Sequence, residues 1–238
     1  MIFDLDHTPA DCAFPDTCLA EIEPNGLLAI GGDLREARLL NAYRHGIFPW
    51  YSAGQPILWW SPTPRMVLFP AEFRMSRSLR KTLRNHDYQL SVDRDFDAVI
   101  RGCAAPRNAA PGTWLVTPMI QAYQGLHRAG HAHSIEVWHD QELIGGLYGM
   151  AIGRAFFGES MFSRRTDASK CALALLVELA HQQPFALIDC QVYTPHLASL
   201  GAREIERPRF EQLLQQAVDE TSSPLQAIAP FPAARLLQ

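Results

Sequence analysis

Residues 134–162 read SIEVWHDQELIGGLYGMAIGRAFFGESMF, and the way this stretch divides decides the fold. Three runs rich in apolar and aromatic residues, SIEVWH, ELIGGLYGMAI and AFFGESMF, are separated by Asp140-Gln141 and Gly153-Arg154. Each separator suits a tight hairpin, so the spacing predicts an antiparallel meander of three strands. Its last strand carries an oddity. Glu159 stands between Phe157 and Met161, where a buried strand favours a hydrophobe. A carboxylate there faces either water on a half-buried strand or a substrate.

Helical patterns flank the meander. Before it, TPMIQAYQGLHRAG has Thr117 as N-cap, Pro118 at its first position and Gly130 just past its end. After it, Asp167 caps ASKCALALLVELAHQQ, and FALIDCQVY then has the short apolar look of an inner strand. TPHLASLG reads as a short helical piece, AREIE as a strand and PRFEQLLQQAVDE as a last helix, with an irregular, Pro-containing tail beyond Ser222. Helix, three antiparallel strands, helix, inner strand, helix is the element order of the N-acyltransferase (GNAT-like) fold used by acetyl-CoA enzymes. Those enzymes carry a Gly-rich turn after the meander, where backbone N–H groups cradle a pyrophosphate. Here the turn is SRRTDASK, without glycine. That points away from acetyl-CoA as the donor.

The fold class expected is α+β. Residues 1–70, rich in Pro, Gly and Trp, form a small N-terminal α/β domain that extends to about 112 on a broader reading, and 113–238 form the acyltransferase-like domain. Within the first part, Asp33 caps a helix with Leu34, Leu39, Leu40 and Tyr43 on one face, ended by Gly46. ILWWSPTPRMVLFP reads as strand, Pro-rich turn, strand. Ser76 opens a helix, RSLRKTLRN, with Leu79 and Leu83 on one face and Arg77, Arg80, Lys81 and Arg84 on another. DYQLSVD is a strand, FDAVIRGCA a helix and APRNAAPG a loop.

With a formal net charge of −4, bulk electrostatics do not draw this molecule to a polyanion, so any nucleic-acid surface is a local patch. The basic stripe of residues 77–84 is the candidate; its plainer reading is a solvated helix face. Five cysteines without a CxxC pair make a poor disulfide framework, and Cys171 and Cys190 sit in apolar surroundings, as thiols in a reducing compartment do. The acidic N-terminus MIFDLDHTPADCAFPD does not read as a signal peptide, and no apolar run reaches membrane-spanning length. A cytoplasmic protein is expected. His127, His131 and His133 are close in sequence, but Gly130 interrupts their helix and no Cys or carboxylate completes a tetrahedral set, so no metal is expected. Asp189 and Gln191, two apart on the inner strand, share a face; they either tie the core together or act in chemistry.

Several segments in order, EPNGLLAIGGDL, GIFPWYS, ILWWSPTPR, GTWLV, HAHSIEVW, GGLYG, FFGESMFSR, ASK and LIDCQ, together resemble the leucyl/phenylalanyl-tRNA–protein transferases. The resemblance runs from about Glu23 to Gly201. It implies an enzyme that moves leucine or phenylalanine, less so methionine, from aminoacyl-tRNA onto proteins beginning with Arg or Lys, which in bacteria marks them for degradation. It implies no cofactor, no metal and no membrane. By position it implies that Asp189 and Gln191 form a relay that helps remove the amine's proton, the aspartate being either a base or an orienting group. It places Glu159 by the aminoacyl group, Trp50 and Trp114 near the tRNA 3′ end, and Phe156, Leu173 and Ile188 in the Leu/Phe pocket. Arg77, Arg80, Lys81 and Arg84 become tRNA contacts. Leu176 and Ala180 are smaller than the family pattern leads one to expect, which bears on how tightly phenylalanine is held. Two other readings fit the element order: a transferase adding amino acids to cell-wall precursors from aminoacyl-tRNA, and a non-catalytic aminoacyl-tRNA-binding module.

Overall fold

Prolines and glycines interrupt the N-terminal part of the chain so often that its strands are short. In the computed structural model, which describes residues 2–105, 115–182, 185–219 and 225–238, β1 (Phe3–Asp4), β2 (Leu27–Ile30), β3 (Phe48–Pro49) and β4 (Leu58–Trp60) form a four-stranded sheet in the order β1-β2-β4-β3. Between β2 and β3, α1 (Glu36–Arg44) buries Leu39, Ala42 and Tyr43. Its cap differs from expectation. Arg35 is the N-cap residue, and Asp33 spends its side chain on the Arg35 N–H (2.9 Å) in the turn before the helix, the local bond that lets Asp compete with helix formation.

β5 (Arg65–Leu68) belongs to a second sheet, as does β6 (Gln89–Val92); α2 (Arg77–Asn85) lies between them in sequence. Ser76 caps α2 as its sequence predicts, accepting the Leu79 N–H. α3 (Phe96–Ala104) and α4 (Thr117–Arg128) follow, the latter capped by Val116, one residue before Thr117. Most of the expected loop APRNAAPG lies outside the described residues. Then comes the meander: β7 (Ala132–His139), β8 (Glu142–Ile152) and β9 (Ala155–Ser163), all antiparallel neighbours. Asp140 and Gln141 both have positive φ, 50° and 64°, as a two-residue hairpin turn requires. α5 (Ala168–Gln182) crosses to β10 (Leu187–Gln191), which runs parallel to β9. The expected element order is the one observed.

The chain continues through α6 (Pro195–Ser199), β11 (Arg203–Ile205) and α7 (Arg207–Val218). From Ile228 the tail, expected to be irregular, instead forms regular structure. β12 (Ile228–Pro232) pairs with β6, and a short 3-10 turn, Ala233–Leu237, packs by α2. Pro230 and Pro232 are tolerated because β12 is an edge strand, where a missing donor faces outward. The larger sheet is thus ordered β11-β5-β10-β9-β8-β7-β6-β12. Helices α1, α3, α4 and α7 pack on one face around Tyr43, Tyr123, Phe157 and Phe210, while α2 and α5 cover the other around Leu79, Phe156 and Ile188. Since β5 and β6 are strands of the larger sheet, we propose that the chain divides near residue 64 rather than at 70 or 112. Among the described residues no helix is long and apolar enough to cross a membrane.

Two irregularities interrupt the larger sheet where β9 and β10 run side by side. The two strands pair only over Ala155–Phe157 and Leu187–Asp189, then part. On β9, Ser160 faces Tyr148 and Gly158 faces Gly149, so Glu159 is an extra residue with no opposite number on β8. On β10, Asp189 faces Val67 and Gln191 faces Met66, which leaves Cys190 unopposed on β5. Such bulges bend a strand and re-aim its side chains. Gly149 is what lets β8 approach the first bulge, since a Cβ there would lie 2.1 Å from the Phe157 carbonyl oxygen. Gly149→Ala is expected to cost about 1–3 kcal/mol of folding stability, read as a lower urea midpoint. An unchanged midpoint would mean that the ladder yields freely at this point.

Candidate active site

The parting of β9 and β10 opens a cleft of about 820 Å³ beside α5 and β3. Its apolar wall is built by Leu147, Phe156, Met161, Leu173, Leu176 and Ile188. Leu173 and Leu176 come from the buried side of α5, whose apolar sequence lets it lie against the sheet. Trp50 lines the cleft with 45% of its surface exposed, its ring 6.0 Å from Trp60. Glu159 and Gln191, on the two parted strands, supply polar groups across from each other.

Glu159 is only 9% exposed, and among the described residues its side-chain donors are neutral. Tyr43 of α1 donates to Oε1 at 2.6 Å, Tyr123 of α4 to Oε2 at 2.7 Å, and the Gln191 side-chain amide to Oε1 at 2.9 Å. Burial pushes its carboxyl up to about 7, against the lowering effect of the two phenols, and the nearby Asp189 charge adds to the rise. The phenols of Tyr43 and Tyr123 are driven well above their ordinary range, first by burial and then by this carboxylate.

Asp189 has the opposite surroundings. It is fully buried, and Arg65 grips both of its oxygens, Nε to Oδ1 at 2.9 Å and Nη2 to Oδ2 at 2.7 Å. Arg65 is itself 1% exposed; its Nη1 donates to the Gly46 carbonyl at 3.0 Å, and its guanidinium lies 4.8 Å from the Phe48 ring centre and 4.6 Å from that of Phe210. Gly46 has φ of 72°, and a Cβ there would meet Phe210 at 2.8 Å, so the turn that offers this carbonyl requires glycine. Asp189 Oδ1 also accepts the Gln191 N–H at 2.9 Å. That bond holds Gln191 in the left-handed region, φ 64°, which non-glycine residues seldom adopt.

A splayed pair of strands, an apolar pocket and a buried carboxylate make a candidate site; relatives show the family of the chain. A family model described as leucyl/phenylalanyl-tRNA protein transferase matches residues 67–215, and the model of that enzyme's N-terminal domain matches residues 32–63. This chain belongs to the leucyl/phenylalanyl-tRNA–protein transferase family. It is 58% identical to the member from Stutzerimonas stutzeri over 90% of this chain and 94% of that one. The member from Pseudomonas aeruginosa is 59% identical over 88% and 93%, and the one from Nitrosospira multiformis 57% identical over 88% and 90%. A solved structure, L-PGS from Bacillus licheniformis, overlaps 72% of this chain and 57% of that one at 14% identity, with a TM-score of 0.37. Its membership of the family makes the chain a transferase.

Of the residues that the transferase resemblance singles out, Glu159, Gln191, Trp50, Phe156, Leu173 and Ile188 all line the one cleft. Asp189 lies behind its wall, and its link to Gln191 runs through the main chain. Trp114 falls outside the described residues. Arg77, Arg80, Lys81 and Arg84 are exposed on α2, and among the described residues none of them is held in an ion pair. His127 and His133 turn to Asp93, at 3.8 and 2.7 Å, and His131 to Glu36 at 3.6 Å. The sequence reading missed Arg65, Tyr43 and Tyr123. The available signal was the arginine opening an otherwise apolar strand, RMVL.

Two measurements check this site. Removing Arg65 alone strands a buried carboxylate, so Arg65→Met is expected to cost about 3–5 kcal/mol in denaturant unfolding. Pairing it with Asp189→Leu should restore much of that loss; a double variant no better than the single would mean that the pair is not what Arg65 serves. For Glu159 the folded carboxyl titrates at about 7 against 4.5 ordinarily, so the folded state binds a proton more tightly than the unfolded. Its contribution is complete below the unfolded value and is lost as pH rises between the two. Wild-type stability relative to Glu159→Gln should therefore fall by roughly 3 kcal/mol across that window. A flat difference would put the carboxyl back at its ordinary value.

Proposed function

We propose that this chain moves leucine or phenylalanine, and methionine less well, from aminoacyl-tRNA to the α-amine of proteins whose first residue is Arg or Lys. The product is a peptide bond that marks the acceptor for degradation, and the setting is the cytoplasm. The observation that carries the reading is the Glu159–Gln191 pair standing beside an apolar pocket in the cleft. The donor is an activated ester and the nucleophile an amine titrating near ~8, so the reaction needs placement more than activation. It calls for no cofactor.

Each substrate part has a complementary surface. Phe156, Leu173, Leu176 and Ile188 take the aminoacyl side chain, and the exposed ring of Trp50 offers a face on which the terminal adenine stacks. Glu159 supplies negative charge for a cationic acceptor end. The phosphates of the tRNA meet Arg77, Arg80, Lys81 and Arg84. Thr82 on the same helix donates at 3.1 Å to Asp167, which directly precedes α5, the helix that carries Leu173 and Leu176 of the cleft wall.

Purified protein incubated with Leu-tRNA should label a peptide starting with Arg or Lys and leave one starting with Ala unlabelled; equal labelling would remove the acceptor assignment. Leu-tRNA should outrun Val-tRNA roughly tenfold or more, the scale of one methylene-sized difference, and Ile188→Trp should block transfer by filling the pocket. Neutralising Arg77, Arg80 and Arg84 together should lower the log–log salt slope of aminoacyl-tRNA binding by about 0.7–0.9 per lost phosphate contact. Weaker binding at an unchanged slope would assign the loss to something other than phosphate contacts.

A further inference from the structure

We infer that Glu159 takes the proton from the attacking amine, and that Asp189, clamped by Arg65, is a positioning residue that holds Gln191 beside it. This rests on the transfer reaction proposed above and assigns its proton. Access is the first ground. Glu159 lines the cleft, whereas Asp189 is wholly buried and has no share in the wall. Occupancy is the second. Both oxygens of Asp189 are engaged by a permanently charged guanidinium, and one also takes the Gln191 N–H. A proton arriving there would displace an arginine.

Proton counting is the third ground. Tyr43, Tyr123 and Glu159 close a ring of three oxygen–oxygen contacts: phenol to phenol, and each phenol to one carboxyl oxygen. Every contact needs one proton. With Glu159 ionised, the two phenols supply two, and one contact has none. One proton added to the carboxyl completes the ring. Its O–H donates to Tyr123, Tyr123 to Tyr43, and Tyr43 to Oε1. The site therefore holds a built place for one incoming proton.

The other groups facing Glu159 leave that place to the carboxyl. Tyr148 of β8 is buried, with its own phenol pushed well above the ordinary range by burial, and Cys103 of α3 stands beside it. Asp189 of β10 is clamped by Arg65 of β5. Titration near neutrality leaves a substantial share of Glu159 ionised and ready. In the reaction the neutral amine nitrogen bonds to the ester carbonyl carbon, and the bond from that carbon to the ribose oxygen breaks. The nitrogen's proton goes to Glu159 and then to the departing ribose oxygen, which leaves as a hydroxyl. The carboxylate is regenerated, and nothing further is consumed.

The test is single-turnover transfer at saturating acceptor peptide across the neutral pH range, together with the infrared band of protonated carboxyl in the ligand-free protein. The wild-type rate should rise through an inflection near 7, below that of the amine itself. Glu159→Gln should lose on the order of 10²-fold in rate, together with that inflection and the infrared band. Tyr123→Phe breaks the ring and changes the hydrogen bonding of the carboxyl, so it should displace the inflection and lower the rate at neutral pH while the infrared band remains. Asp189→Asn should slow transfer yet retain both the inflection and the band. The inference is overturned if the inflection survives Glu159→Gln, if it disappears in Asp189→Asn, or if Tyr123→Phe leaves it in place. Should Asp189→Asn not fold, the wild type, Glu159→Gln and Tyr123→Phe decide alone. A wild type that transfers nothing to any peptide removes the transfer reading and this inference with it. Normal transfer with a profile indifferent to Glu159→Gln removes this inference only.

Discussion

The buried ion pair between Arg65 and Asp189 is the contact on which the rest of the site hangs. It joins β5 to β10 across 124 residues of chain, and Arg65 reaches further, to the carbonyl that ends the α1 turn and to the rings of Phe48 and Phe210. One guanidinium thereby touches the small sheet, the large sheet and the last helix. Pairs of this kind add little net stability, because desolvation offsets most of the attraction, and their loss is costly because a bare charge remains. Here the pair fixes the end of β10, and the end of β10 sets the cleft.

From that anchor the two buried carboxylates are driven apart in character. Asp189 has a full counter-charge and no solvent access. Glu159, in contact with the cleft, has neutral donors among the described residues, and the neighbouring aspartate discourages its ionisation. The same carboxyl group thus serves at one position as the partner of a buried arginine and at the other as a hydrogen-bonded group on the cleft wall. Gln191 is the physical link. Its backbone answers to the first carboxylate and its side chain to the second.

Most of the scaffold was legible in the sequence because it rests on periodicity. The meander, the apolar helix after it and the inner strand LIDCQ all follow from alternation and helical spacing, and Ser76 announced its helix by chemistry. Polar residues in apolar strands marked Glu159 and Gln191 as odd but left open whether they faced water, core or substrate; the family resemblance placed them at the site. What stayed hidden was set by contacts distant in sequence. Tyr43 lies 116 residues from Glu159 and reads as an ordinary core position on α1. Arg65, at the head of its strand, looks like a terminal charge. The bulges at Glu159 and Cys190 add single residues, which alternation over so short a span does not register. The tail strand was obscured by its prolines, which an edge position permits.

The place of β5 in the sheet has a consequence for how the chain comes into being. Its two neighbours are β10 and β11, so a strand made early must wait for residues 187–205 to leave the ribosome. At ~5–20 residues per second that interval is on the order of ten seconds. Through it, MVL is an apolar segment with both edges open, the condition that invites pairing with another nascent chain. Arg65 stands at its head with a charge that has not yet met its partner, and such a charge opposes that pairing. The residue that later anchors the site thus sets a gatekeeper charge at the head of an open apolar strand before the site exists.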